Sequence, residues 1–346
     1  MTFNLNNLVR ENVRKLKPYS SARDEYIADG SKKIFLDANE SPYVNGINRY
    51  PDPQQRSLKS VLAKRYSLTE ANILLGNGSD EILDLIFRAF CEPLEDNIIT
   101  VPPTYGMYKV LAGINAIENR EVLLTLDFEL DVEQILESID ANTKLVFLCS
   151  PNNPTGNSFS IAHITQLLNN FHGLVVVDEA YIDFSGKKSW LPKLNEHENL
   201  IVTRTFSKAY GMAGLRLGVC YASEGVITVL NRIKPPYNVN ELTQKRAFSM
   251  IKDLGLVEEQ ISEILKQRKD LVAQLGQIGF IEKIYPTDAN FILVKVDNAD
   301  ERYRQILDRG VVVRNRSAQP LCENTLRFTV GNPQENKTLL EVLKSL

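Results

Sequence analysis

The chain has few of the residues on which metal centres, disulfide frameworks and membrane spans are built. Only three of its 346 residues are histidine, and His163, His172 and His197 stand at no metal-ligand spacing, so no metal site is expected. The four cysteines (Cys91, Cys149, Cys220 and Cys322) are widely separated and form no Cys-x-x-Cys pair. Cys149 and Cys220 fall inside apolar runs and read as reduced core residues of a cytoplasmic protein. Net charge is −3 with the signs interspersed, so neither a nucleic-acid footprint nor a basic membrane face is present. No apolar run approaches the length of a membrane span. Residues 1–18 carry Arg10, Glu11, Arg14, Lys15 and Lys17 around no apolar segment, and no secretory signal is expected. There is no internal repeat.

What is present is an alternation of buried-strand runs with amphipathic stretches. Lys144-Leu145-Val146-Phe147-Leu148-Cys149, Gly173-Leu174-Val175-Val176-Val177 and Leu200-Ile201-Val202 are continuous apolar runs, the pattern of parallel strands covered on both faces. In such sheets ligands bind beyond the carboxyl ends of the strands. Asn153, Asp178, Tyr181 and Lys208 all fall at that edge. Lys208 follows Thr205-Phe206-Ser207, and Arg216 comes eight residues later. A buried, desolvated lysine has a lowered pKa and can attack a carbonyl to form an imine. Arg216 can return to the same pocket as a fixed cation for a phosphate. Each residue also has a plainer reading. Ser-Lys occurs on surface loops, Asp178 suits a helix cap, Asn153 precedes a proline in a turn, and Tyr181 or Tyr105 could be packing.

Three segments in register decide between those readings. Ser150-Pro151-Asn152-Asn153-Pro154-Thr155-Gly156, then Val175-Val176-Val177-Asp178-Glu179-Ala180-Tyr181, then Thr205-Phe206-Ser207-Lys208-Ala209-Tyr210-Gly211 through Arg216 resemble the fold-type I pyridoxal-phosphate aminotransferases. Arg327 near the C-terminus completes the pattern, and the likeness runs from Pro18-Tyr19 to Val330-Gly331. Within the family the nearest resemblance is to the histidinol-phosphate aminotransferases. It implies transamination between glutamate and imidazole-acetol phosphate, giving 2-oxoglutarate and histidinol phosphate in histidine biosynthesis. It also implies pyridoxal 5'-phosphate as cofactor and a homodimer as the active unit. A threonine-phosphate-type decarboxylase and an aromatic-amino-acid aminotransferase are the rival readings on the same scaffold. A non-catalytic pyridoxal-binding regulator is disfavoured, because only about 35 residues precede the first strand candidate.

The resemblance assigns roles by position. Lys208 carries the imine and serves as general base, and Asp178 pairs with the ring nitrogen of the cofactor. Asn153 and Tyr181 donate to the ring oxygen, and Tyr105 stacks on the ring. Gly78, Ser79 and Asp80 open an apolar-periodic helix whose N-terminus suits an anion. Gly76-Asn77-Gly78 lacks the third glycine of a dinucleotide fingerprint. Thr205, Ser207 and Arg216 complete the phosphate cup, with Tyr50 reaching in from the neighbouring subunit. On the substrate side, Arg327 resembles the α-carboxylate clamp and Arg314 a phosphate ligand, with Tyr19 and Asn39 nearby. Arg314 could instead serve a structural ion pair. The residues that touch the imidazole are not legible.

The expected architecture is α/β, with a large domain over 36–240 built on a mostly parallel central sheet flanked by helices. Its first strand candidate is Lys33-Ile34-Phe35-Leu36. A smaller α+β domain follows, with strand candidates at Phe291–Val294, Gly310–Arg314 and Thr325–Phe328. An amphipathic stretch from Glu241 to Leu275, interrupted at Gly255, links the two. The resemblance implies that residues 1–35 join 241–346, making the small domain discontinuous.

Overall fold

The computed structural model describes residues 3–19, 23 and 33–346. Seven strands form the central sheet: β1 (Ile73–Gly76), β2 (Asn97–Thr100), β3 (Glu118–Glu121), β4 (Thr143–Cys149), β5 (Leu174–Asp178), β6 (Leu200–Thr205) and β7 (Gly218–Ala222). Their spatial order is β1-β7-β6-β5-β4-β2-β3, and only β7 runs antiparallel to its neighbours. The apolar runs that identify β4, β5 and β6 are wholly buried from Leu145 to Leu148, Leu174 to Val177 and Leu200 to Val202. Strands covered on both faces have no side to keep polar, which is why they read as unbroken Val/Leu/Ile sequence.

Helices cover both faces. One (Ser79–Phe90) buries Ile82, Leu83, Leu85, Ile86, Phe87, Ala89 and Phe90. Its Phe87 ring stacks on Phe147 of β4 at 5.1 Å, and Phe147 stacks on Tyr108 at 5.0 Å. Truncating a buried ring of this kind costs on the order of 3–5 kcal/mol. The same stack fixes the position of Tyr108 under the strand ends.

The C-terminal part carries a four-stranded antiparallel sheet in the order β10-β11-β9-β8, made of β8 (Ile281–Ile284), β9 (Phe291–Val296), β10 (Arg314–Asn315) and β11 (Thr325–Thr329). The amphipathic stretch from residue 241 is two helices, Glu241–Lys252 and Gly255–Leu275. Gly255 opens the second helix, so the interruption falls just before it. One continuous core joins the two sheets, with Phe291, Leu293 and Cys322 packed into the same cluster as Val175, Val177 and Val202.

Two sequence expectations need correction. Lys33–Leu36 is irregular, with Ile34 and Leu36 largely exposed, and forms no strand. The run Gly310–Arg314 is a strand only from Arg314 to Asn315. Gly310 has a φ of +84°, a left-handed turn that delays entry into the sheet. Val312 is exposed while Val313 is buried, so the three valines are not one buried strand. The arm expected over residues 1–35 lies partly outside the described residues. No helix among the described residues is long and apolar enough to cross a membrane.

Candidate active site

The carboxyl ends of the parallel strands, together with the amino end of β7, meet in one cleft. It is lined by Ser79, Asp80, Tyr105, Cys149, Asn153, Asp178, Ala180, Tyr181, Thr205, Ser207, Lys208 and Arg216. Six chain segments supply these side chains, and β-sheet pairing is what gathers them: Asp178 lies opposite Thr203 on β6 and Cys149 on β4.

Asp178 closes β5 and is buried. Burial pushes its carboxyl up to about 6, against the pull of a hydrogen bond donated by Tyr108 Oη to Oδ2 at 2.9 Å. The backbone N–H of Ala180 donates to Oδ1 at 3.2 Å. The helix-cap reading of Asp178 is thus partly met, by a local turn, while the carboxylate also faces the cleft. The next residue, Glu179, leaves the strand on the other side. It accepts from Arg204 Nε at 3.0 Å, from Ser189 Oγ at 2.7 Å and from the Trp190 N–H at 2.6 Å. This buried pair pins the strand end, and so the site of Asp178, because moving it would leave a charge unpaired inside the protein.

Lys208 lies three residues beyond β6. It is exposed to the open cleft, so the expectation of a buried lysine is not met in full. The cleft walls still lower its pKa by desolvation, and the Arg327 charge adds to this. Its Nζ lies 5.6 Å from the centre of the Tyr181 ring. Tyr181 is buried and packs edge-on against Phe291 at 5.1 Å. Burial raises its hydroxyl well above the usual phenol range, which keeps it a neutral donor. Packing and cleft-lining are therefore one position, not alternatives. Arg327 Nη1 donates to Asn153 Oδ1, which leaves the amide NH2 of Asn153 to donate elsewhere.

The helix Ser79–Phe90 opens with no side chain capping its first turn. Gly78 precedes it at a φ of +85°, and a Cβ there would meet Arg216 Nη2 at 2.7 Å. A Cβ on Gly218 would likewise collide with the backbone N of Ser79. Glycine at these two places lets a guanidinium and a helix N-terminus converge on one small space. The Thr205 hydroxyl accepts from the Ser207 N–H at 3.1 Å. Free backbone donors, hydroxyls and the Arg216 guanidinium form a fitting cradle for a phosphate monoester. Asp80 tempers that charge: it accepts from Tyr105 Oη at 3.1 Å and stands 3.8 Å from Arg216 Nη2.

Three expected residues do not reach the cleft within one chain. Tyr50 stacks on Tyr237 at 4.5 Å, and with Asn39 it lines a separate concavity. That segment is held by Glu40, which pairs with Arg23 at 2.6 Å and Arg49 at 2.7 Å. Tyr19 is mostly exposed. On the small sheet Arg314 lies opposite Arg327. Arg314 is exposed and Arg327 is partly buried. Sequence reasoning missed Tyr108, although its spacing of three from Tyr105 places both on one turn of the chain.

A mostly parallel sheet with a lysine, an aspartate and an anion cradle at its carboxyl edge is the arrangement of the fold-type I transferases. The model of the family "Aminotransferase class I and II" matches residues 32–343. A histidinol-phosphate aminotransferase of Flavobacterium johnsoniae is 62% identical over 346 residues, covering 100% of this chain and 99% of that one. The crystal structure of the histidinol-phosphate aminotransferase from Clostridium acetobutylicum superposes with a TM-score of 0.80 at 26% identity, covering 86% of this chain and 90% of that one. That from Sinorhizobium meliloti, solved in complex with pyridoxal-5'-phosphate, gives 0.77 at 25% identity, covering 86% and 83%. The chain belongs to the class I and II aminotransferases, in their histidinol-phosphate aminotransferase group.

Proposed function

We propose that the protein transfers the amino group of glutamate to imidazole-acetol phosphate, giving 2-oxoglutarate and histidinol phosphate, with pyridoxal 5'-phosphate as cofactor. The observation that carries this reading is the single cleft in which Lys208, Asp178, Tyr181 and the phosphate cradle at Gly78–Ser79 and Arg216 converge. The cofactor, when bound, supplies a conjugated ring that accepts the electron pair of the substrate Cα–H bond and carries the amino group between half-reactions. Asp178 would hold a proton on the ring nitrogen through a charge-assisted hydrogen bond, worth about 1.5–3 kcal/mol. Asn153 and Tyr181 would donate to the ring oxygen, and Tyr105 would cover the ring. Lys208 Nζ, whose pKa the cleft walls lower by desolvation, would take the proton from Cα and return it. Arg327 binds the carboxylate of glutamate through two parallel N–H groups.

Single-turnover conversion of each amine by the cofactor-loaded protein, followed by absorbance, tests the substrate. Histidinol phosphate should react much faster than histidinol. Equal rates would overturn the histidine-pathway reading, and carbon dioxide released from threonine phosphate would favour the decarboxylase.

The active unit in this reading is a cytoplasmic homodimer, with a large domain over 36–240 and a discontinuous small domain of 1–35 and 241–346. The four cysteines are unpaired, in keeping with a reducing compartment. Exposed Ile47 and Leu242 line the concavity at Tyr50, apolar surface suited to a second copy. Tyr50 then completes the phosphate cup of the partner. Mixing Tyr50→Ala chains with Lys208→Ala chains should restore activity, since one heterodimer site is intact. No recovery after demonstrated subunit exchange would exclude the shared site.

A further inference from the structure

The last ring of the aromatic stack is a tyrosine where packing alone asks only for a phenyl ring. Tyr108 belongs to the helix Met107–Ile114 and is wholly buried. Its ring lies face to face with Phe147 at 5.0 Å, and Phe147 lies on Phe87 at 5.1 Å. Phenylalanine would fill that place without a buried hydroxyl, a group that destabilises unless it is hydrogen-bonded. The Tyr108 hydroxyl donates to Asp178 Oδ2 at 2.9 Å. Edge-on at 5.5 Å, the same ring also supports Tyr105, which lines the cleft.

Asp178 has few other means of staying ionised and aimed. Burial is the largest influence on it and pushes its pKa up, and the charge of Asp80 acts in the same direction. Tyr108 leads the groups that pull it back down. Thr203, opposite Asp178 on β6, pulls the same way, but its hydroxyl makes no hydrogen bond. Tyr108 is therefore the one side chain that donates to Asp178 among the described residues. The terminal torsion of an aspartate is broad by itself. Here Tyr108 holds one oxygen and the Ala180 N–H holds the other, which fixes the plane of the carboxylate. The remaining titratable groups facing Asp178 are Tyr105, Cys149, Tyr181 and Lys208. Burial raises the first three and keeps them uncharged, so Lys208 is the cation among them. Tyr108 is raised far above the phenol range too, so it stays a donor.

We propose that Tyr108 is a positioning residue for the transamination: through its hydroxyl it keeps Asp178 aimed and ionised, ready to hold the proton on the cofactor ring nitrogen. This rests on the transaminase reading above. Tyr108→Phe, which keeps the ring in the stack, is compared with wild type, with Asp178→Asn and with the double variant. Pyridoxal phosphate affinity is titrated by absorbance across pH. In wild type it should fall as pH drops through about 6. Losing the hydroxyl removes the leading influence that lowers Asp178, so in Tyr108→Phe the fall should set in at higher pH. The expected shift is about one to two pH units, the equivalent of a hydrogen bond to a charged group. Single-turnover conversion with glutamate should slow about tenfold or more. In the Asp178→Asn background the same substitution should add almost nothing, because Tyr108 acts through that carboxylate. Phe87→Leu, at the far end of the stack, is the structural control. It should lower the melting temperature and leave the pH midpoint in place. A wild-type midpoint in Tyr108→Phe would overturn the proposal. So would a loss that persists in full in the Asp178→Asn background, or an equal midpoint shift in Phe87→Leu. A wild type that takes up no pyridoxal phosphate and does not convert glutamate would instead sink the transaminase reading, which keeps the two failures distinct.

Discussion

Lys208→Ala should leave a protein that folds and binds the cofactor but has almost no turnover. Only Lys208 in this cleft combines an amine with a lowered pKa and a position within reach of both Asp178 and Tyr181. General-base catalysis by one positioned group contributes roughly 10²–10⁴ in rate, and loss of the covalent tether adds to that. Turnover is therefore expected to fall by on the order of 10³ or more. The visible absorbance of the cofactor-bound protein should change, since the amine that conjugates with the ring is gone. Cofactor affinity should fall less, because Arg216, the Ser79 N-terminus and Asp178 are untouched. Lys208→Arg is the sharper comparison: it keeps a cation, but guanidinium does not give up its proton at neutral pH. Turnover within tenfold of wild type in either variant would remove Lys208 from the chemistry.

Asp178→Asn should cost at least about a hundredfold in turnover, or about 2.7 kcal/mol in the barrier. The substitution keeps the size of the side chain and an oxygen to accept from the Ala180 N–H, so the local turn survives. What disappears is the negative charge that holds a proton on the ring nitrogen. Tyr108, whose hydroxyl donates to Asp178 and is fixed in the Phe147 stack, keeps its place, so geometry is not the cause of the loss. The pH dependence is a second readout. Burial raises the Asp178 carboxyl to about 6 in the free protein, so below that pH the group is neutral and binds the protonated ring less well. Cofactor affinity should fall as pH drops through about 6, and binding there should release a proton from Asp178. Asp178→Asn should lack that step. Unchanged proton abstraction in the variant would reduce Asp178 to a structural turn.

The strand runs and the order of the chemical segments were legible because each rests on local rules. An unbroken Val/Leu/Ile run between turns means a strand covered on both faces, and Ser79–Phe90 shows its helical period directly. Strand ends then bring Asn153, Asp178 and Lys208 to one edge, as a parallel sheet must. The misses are also physical. Lys33–Leu36 has strand composition but is irregular, and strand preference records packing more than backbone. The valines before Arg314 look like one strand, but Gly310 turns left-handed and the pairing begins only at Arg314.

The sequence by itself determined most of the elements, the cofactor-type chemistry and the identity of the lysine and the aspartate. Only the tertiary structure decided the partners. That Tyr108 donates to Asp178, that Arg327 holds Asn153, and that Tyr50 and Asn39 line another concavity follow from contacts between segments far apart in the chain. It also decided which arginine is desolvated. Arg314 and Arg316 are two positions apart, yet one is in solvent and the other is partly buried with an Nε that has no hydrogen-bond partner among the described residues. Local periodicity names the face a side chain takes, but burial depends on what the rest of the molecule lays against it.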